Sequence, residues 1–154
     1  LGRRAVTCLA LDPGQRTGWA TSARDCGTLD FTGMTWGEIS AEFRPWLSRM
    51  LREHAVQALA YEMAFARSNH SALPLGLIWD ACAVGRRHNV ELLECRTQDA
   101  KKAIGVKAVR GQARAAKSAV MAAAIARGWR PQAQHEADAI AVLAWAEERL
   151  SRIE

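Results

Sequence analysis

Three acids and a histidine carry the clearest chemical signal in this 154-residue sequence: Asp12, Glu62, Asp138 and His135. Asp12 closes an apolar segment and is followed by Pro13-Gly14, so it stands where a strand ends and the chain turns. Glu62 closes a second apolar segment. Neighbouring strands lie about 4.8 Å apart, so terminal carboxylates on adjacent strands meet. Asp138 falls in the first turn of a helix expected over residues 136–152, with His135 three residues earlier on the same face. Acids converging on one point repel strongly unless a cation neutralises them. Hard oxygen ligands suit Mg²⁺ or Mn²⁺, and a nitrogen from His135 shifts preference towards Mn²⁺. Two such ions can activate a water, stabilise a departing 3′-oxygen and offset phosphate charge, as phosphodiester hydrolysis requires.

Taken one at a time, these residues have ordinary explanations. Asp12 before Pro-Gly is a turn former, and Glu62 at a strand end can simply be solvated. Asp138 can be a helix-start acid favoured by the macrodipole, and His135 a cap. Their order along the chain, beside a strongly basic segment, is what points to a shared site. Residues 101–134 contain eight of the 21 Lys and Arg and none of the 16 Asp and Glu, so the remainder is net negative although the whole chain is +5. A polyanionic partner is the functional reading of that segment; a solvated helix face is the plain one.

The elements that must position these groups follow from periodicity. Residues 5–12 are apolar on both alternating faces, as a strand covered on both sides would be. Strands are expected next at 17–21 and around 27–32, and a helix at 38–53 with Phe43, Trp46, Leu47 and Met50 on one stripe. A strand over 57–62, a helix over 71–87, a strand over 90–95 and helices over 98–104, 112–127 and 136–152 complete the chain. Three strands followed by strand–helix alternation predict an α/β fold: a five-stranded mixed β-sheet flanked by helices on both faces. The length suits a single domain over residues 1–154. The helix over 71–87 is apolar around most of its circumference, so a second copy of the chain is the expected cover for its outer face.

Hydrophobic residues make up 49% of the chain, which argues against disorder, and no apolar run reaches the roughly 20 residues of a membrane span. Cys8, Cys26, Cys82 and Cys95 lack zinc-like or redox-motif spacing, which suggests reduced thiols in a cytosolic protein. No secretory signal is evident at the start, and the first residue, Leu1, leaves open a preceding segment.

Five ordered motifs give a specific resemblance. Leu9-Ala10-Leu11-Asp12-Pro13-Gly14 with Thr17-Gly18-Trp19-Ala20 resembles the opening motif of the RuvC Holliday-junction resolvases, which belong to the RNase H-like superfamily. Tyr61-Glu62-Met63-Ala64-Phe65 is similar to that family's second acidic motif, and Asn69 with Ser71-Ala72-Leu73 and Leu75-Gly76 to the helix start that follows. Ala115-Ala116-Lys117-Ser118-Ala119-Val120 resembles its basic segment, and His135-Glu136-Ala137-Asp138-Ala139 its closing acidic motif.

The resemblance implies a homodimer, paired through the helix over 71–87, that binds four-way DNA junctions and nicks two opposing strands. It implies Asp12, Glu62 and Asp138 as ligands of two Mg²⁺ or Mn²⁺ ions, and Lys117, in the basic segment, as a catalytic residue that stabilises developing charge near the scissile phosphate. Phe65 corresponds to an aromatic that stacks on an unpaired base. Arg67, Asn69, Lys101, Lys102, Lys107, Arg110 and Arg114 join Phe65 and Lys117 as the expected DNA contacts, with one of Lys101, Lys102 and Lys107 as a second functional lysine. Many bacterial members carry Asp where this chain has His135, a substitution known among related nucleases; Glu136, on a different helical face, is the alternative fourth ligand. A bacterial or phage-encoded protein of the cytoplasm is expected. An RNA-processing nuclease of the same fold is the nearest competing reading. An actin-like phosphate-binding ATPase shares the sheet topology but usually needs two such domains and a second glycine-rich loop, and neither is evident. A noncatalytic DNA-binding module is disfavoured because the acids would repel DNA in the absence of metal.

Overall fold

A computed structural model describes residues 5–64, 72–107 and 110–152 of the chain. Five strands, β1 (Cys8–Asp12), β2 (Arg16–Thr21), β3 (Cys26–Asp30), β4 (Ala58–Glu62) and β5 (Glu91–Cys95), form one sheet in the order β3-β2-β1-β4-β5. The first three pair antiparallel as consecutive hairpins, and β4 and β5 add in parallel beside β1. Helices α1 (Trp36–Glu53) and α2 (Ala72–Arg87) cover one face; α3 (Thr97–Ala103), α4 (Ala113–Ala126) and α5 (Gln134–Ser151) cover the other.

The two faces of the sheet differ in side-chain size, and the difference decides where α5 lies. Strand alternation sends Leu9, Leu11, Leu59 and Tyr61 towards α1 and α2, where Phe43 and Leu47 meet them in a core of large side chains. The opposite parity presents Cys8, Ala10, Ala20, Ala58 and Ala60 to α5. Helix α5 answers with Ala137, Ala141 and Ala146, all essentially inaccessible. Small residues on both partners let the helix backbone settle close to the strands. The approach is tightest at Gly18 in β2, where a Cβ would lie 1.8 Å from the carbonyl oxygen of His135.

Helix boundaries depart slightly from expectation. The helix α1 begins at Trp36, because Thr35 and Glu38 form a reciprocal capping box ahead of it. The last helix starts at Gln134 rather than 136, which places Asp138 in its second turn and weakens its reading as a simple helix-start acid. The extra residues are held by Glu136, whose carboxylate accepts from the backbone N–H of Gln132 at 2.5 Å.

The apolar circumference expected of α2 is largely consumed within the chain. Leu77 is 2% exposed and belongs to the core, whereas Trp79 is 78% exposed on the outer side. Asp80 is buried between helices, accepting from Ser40 Oγ at 2.6 Å and from Arg44 Nε at 2.7 Å. What remains outside is a groove of about 720 Å³ between α1 and α2, with the exposed Trp36 and Trp79 at its rim. The four cysteines are free; Cys8 and Cys95 are buried and Cys26 and Cys82 half-buried. Burial pushes the Cys8 and Cys95 thiols up to about 12, so both stay protonated.

Candidate active site

The parallel register of β1 on β4 pairs Leu11 with Tyr61, so Asp12 and Glu62 end adjoining strands on the α5 face. The close packing of α5 then delivers His135 and Asp138 to the same place. Donor atoms of Asp12, His135 and Asp138 all lie within 4.8 Å of one another. His135 Nδ1 stands 3.3 Å from Asp12 Oδ2. Glu62 lies outside that tight trio, but it borders the same recess as Asp138 and feels the charge of Asp12.

The electrostatics are those of acids short of positive charge. Burial, then the charge of Asp12, pushes the Glu62 carboxyl up to about 7, against the pull of the Thr97 hydroxyl and Lys101. Burial also raises Asp138, helped by the charge of Glu62 and opposed by Gln134, His135 and Lys117. The hydrogen bond to Asp12 raises His135; burial opposes it, and the charges of Asp12 and Asp138 add to the rise. Hard carboxylate oxygens and one imidazole, partly buried and mutually repelling, are a donor set that fits a divalent cation.

Two residues that sequence reasoning does not single out hold these acids. Thr97, at the start of α3, donates its hydroxyl hydrogen bond to Glu62 Oε1. Gln134 Nε2 donates to Asp138 Oδ1 at 2.9 Å, one helical turn away. The i, i+4 spacing of Gln134 and Asp138 is visible in the sequence, but nothing local announces Thr97, which is brought in by the β5–α3 connection.

The basic residues separate into groups. Lys101 and Lys117 share a recess of about 160 Å³ with Glu62, Thr97 and Asp138, so both ammonium groups border the acids. Lys102 faces elsewhere, into a groove beside Trp145, Glu148 and Arg149. Lys107 lines a surface hollow against α4 with Gln112 and Ala115. Arg110 and Arg114 are exposed ahead of and at the start of α4. Arg127 donates to the Ala103 carbonyl at 3.0 Å and so ties α3 to α4. Phe65, Arg67 and Asn69 lie outside the described residues. Glu136 is turned away from the acids, buried at 6% exposure against β3.

The sequence matches no protein-family model and no curated protein. Solved structures do match the fold. RuvC of T. thermophilus in complex with Holliday junction substrate superposes with a TM-score of 0.72 at 16% identity, covering 95% of this chain and 96% of that one. The fowlpox virus Holliday junction resolvase gives 0.64 at 12% identity, with 94% and 99% covered. The yeast mitochondrial Holliday junction resolvase gives 0.61 at 9% identity, with 97% and 84% covered. Three diverged proteins thus superpose on most of this chain's length with TM-scores above 0.6: this chain has the RNase H-like fold of the RuvC-type Holliday junction resolvases.

Proposed function

We propose that this chain is a structure-selective endonuclease that cuts branched DNA, four-way junctions above all, by metal-assisted phosphodiester hydrolysis. The observation that carries the reading is the convergence of Asp12, His135 and Asp138 at one point, with Glu62 against Asp12. The fold of junction resolvases, over nearly the whole chain, supports the substrate class. Asp12, Glu62, Asp138 and His135 would hold Mg²⁺ or Mn²⁺, as a pair of ions. When bound, such ions supply an activated water and stabilise the departing 3′-oxygen.

The chain's own groups do the rest. Thr97 and Gln134 restrict the rotamers of Glu62 and Asp138, so the carboxylates are held in place before a ligand arrives. Lys117 and Lys101 offer positive charge at the recess where a phosphate would approach the acids. Lys102, Lys107, Arg110 and Arg114 add sequence-independent attraction for the DNA backbone. Phe65, Arg67 and Asn69 are the expected contacts to the opened crossover. Pairing two copies through α2, with Trp79 at the contact, would present two such sites to opposing strands.

The test is nicking of a labelled four-way junction, with three-way and linear DNA as controls, in Mg²⁺ or Mn²⁺. Asp12→Asn, Glu62→Gln and Asp138→Asn are each expected to reduce cleavage by orders of magnitude while junction binding persists. Near-normal nicking by any of them removes that residue from the site, and wild-type protein that leaves all branched DNA intact refutes the proposal.

A further inference from the structure

Glu136 adjoins the acid cluster in sequence, yet its side chain points the other way. It is 6% exposed, one of the few buried charged side chains among the described residues. A buried carboxylate is tolerated only if hydrogen bonds replace its water. Three donors do so here. The backbone N–H of Gln132 gives 2.5 Å to Oε2, and Thr28 Oγ1 gives 3.3 Å to Oε1. The Cys26 thiol stands at 4.0 Å from Oε2. These partners belong to the segment entering α5 and to β3, so one side chain joins three pieces of backbone.

The placement of that junction matters because of what lies on either side of it. Glu136 follows His135 directly and precedes Asp138 by two residues. Beneath it, Gly18 lets the His135 carbonyl and the Glu136 amide press onto β2. The helix has no side-chain cap at Ala133, so its first turn is not held in the usual way. Gly18 permits the close approach and the burial of Ala137 against the sheet favours it; the polar attachment of the first turn is the grip of Glu136 on Thr28 and Gln132.

We propose that Glu136 is a positioning residue that clamps the first turn of α5 to β3 and thereby fixes His135 and Asp138 against Asp12 at the spacing a divalent cation requires. The inference rests on the metal-site reading of these acids. It gives Glu136 a role opposite to that of a ligand: the carboxylate acts through hydrogen bonds and not through charge at the ion. An amide of the same shape can do the same work. In Glu136→Gln, Oε1 can accept from Gln132 while Nε2 donates to the Thr28 hydroxyl. Alanine can do neither.

The experiment is calorimetric titration of Mn²⁺ into DNA-free wild type, Glu136→Gln, Glu136→Ala, Thr28→Val and Thr28→Ser, below the melting temperature of each folded variant. Wild-type-like affinity is expected for Glu136→Gln and Thr28→Ser. Glu136→Ala is expected to weaken Mn²⁺ binding by about ten- to a hundredfold, the usual range for outer partners of a metal site, and Thr28→Val by less. Nicking by Glu136→Ala should recover towards wild type as Mn²⁺ is raised. Equal loss in Glu136→Gln and Glu136→Ala would make the charge essential and overturn positioning in favour of ligation. Unchanged affinity in Glu136→Ala, with only a lower melting temperature, would reduce Glu136 to a stabilising contact. Should Glu136→Ala fail to fold, the Thr28→Val and Thr28→Ser pair decides, and equal affinities for the two refute the clamp. Wild type that binds no Mn²⁺ would instead overturn the metal-site reading and the clamp with it.

Discussion

Replacing Gly18 with alanine tests the geometry of the site without touching any of its polar groups. Strand β2 carries Gly18 opposite Asp12 in the antiparallel register, directly under the first turn of α5. An added Cβ would lie 1.8 Å from the His135 carbonyl oxygen, 2.2 Å from its carbon and 2.9 Å from the Glu136 nitrogen. These are backbone atoms, so no rotamer change relieves the clash. Restoring an ordinary contact of 3.4 Å requires the strand and helix to separate by about 1.6 Å at that point. His135 Nδ1 is 3.3 Å from Asp12 Oδ2, and metal–oxygen bonds to Mg²⁺ tolerate only a few tenths of an ångström. A displacement of about 1 Å at a reacting centre typically lowers rate about a hundredfold. Gly18→Ala is therefore expected to reduce junction nicking at least a hundredfold, with a stability loss of about 1–3 kcal/mol from overpacking. Gly27→Ala is the control. Its Cβ would meet the Trp19 indole at 2.7 Å, a side chain that can move, on the face of the sheet away from the acids. Nicking and thermal melting measured on both variants separate site geometry from stability. If Gly18→Ala nicks within a few-fold of wild type at limiting metal, the close approach of α5 does not set the site and the reasoning fails.

The remaining expectations concern charge and assembly. Glu62 is raised to about 7 in the folded metal-free protein, so the folded state holds a proton that the unfolded chain gives up from about 4.5. That contribution to stability is present at low pH and is lost as pH rises through about 7, by up to about 3 kcal/mol. Glu62→Gln should therefore raise the melting temperature of metal-free protein at pH 8 more than at pH 5; an equal gain at both contradicts the buried-charge account. His135 must be neutral to bind metal, and its pKa is raised by Asp12, so metal affinity should fall on acidification from above the ordinary histidine range. His135→Asp should keep Mg²⁺ activity with a shifted acid limb, and His135→Ala should impair metal use more than Glu136→Ala; a His135→Ala protein indistinguishable from wild type at limiting metal would make the residue a bystander. Junction affinity should fall steeply with salt, and neutralising Lys101, Lys102, Arg110 and Arg114 together should flatten that dependence, whereas an unaltered slope places the DNA elsewhere. Trp79→Glu should yield monomers by sedimentation with the fold intact, because Trp79 is 78% exposed. A wild type already monomeric at micromolar concentration and on DNA would end the two-copy scheme.

Much of this protein is written in short-range pattern. Alternation within residues 8–12 and 58–62 assigns Leu9, Leu11, Leu59 and Tyr61 to one face and the alanines to the other, because strand side chains repeat every two residues. The same parity puts Asp12 and Glu62 on the alanine face at strand ends, whereas the parallel pairing of β1 with β4 is what sets those ends side by side. The order of strands and helices follows from the lengths and turn residues of each segment, and the five motifs resemble one family in one order. Tertiary structure decided everything that depends on which neighbour a surface meets. Lys101 borders Glu62 and Lys102 does not, although the two are adjacent in sequence, because one face of α3 borders the acids and another faces α5. Leu77 and Trp79 look equivalent on an apolar helix, but α1 covers only one of them. Thr97 reaches Glu62, and Glu136 turns from the acids to β3, through pairings 35 and 108 residues apart along the chain. Local periodicity states which face of an element is apolar; only the packed sheet and helices state what that face touches, since contacts at such separations exist nowhere but in the assembled fold.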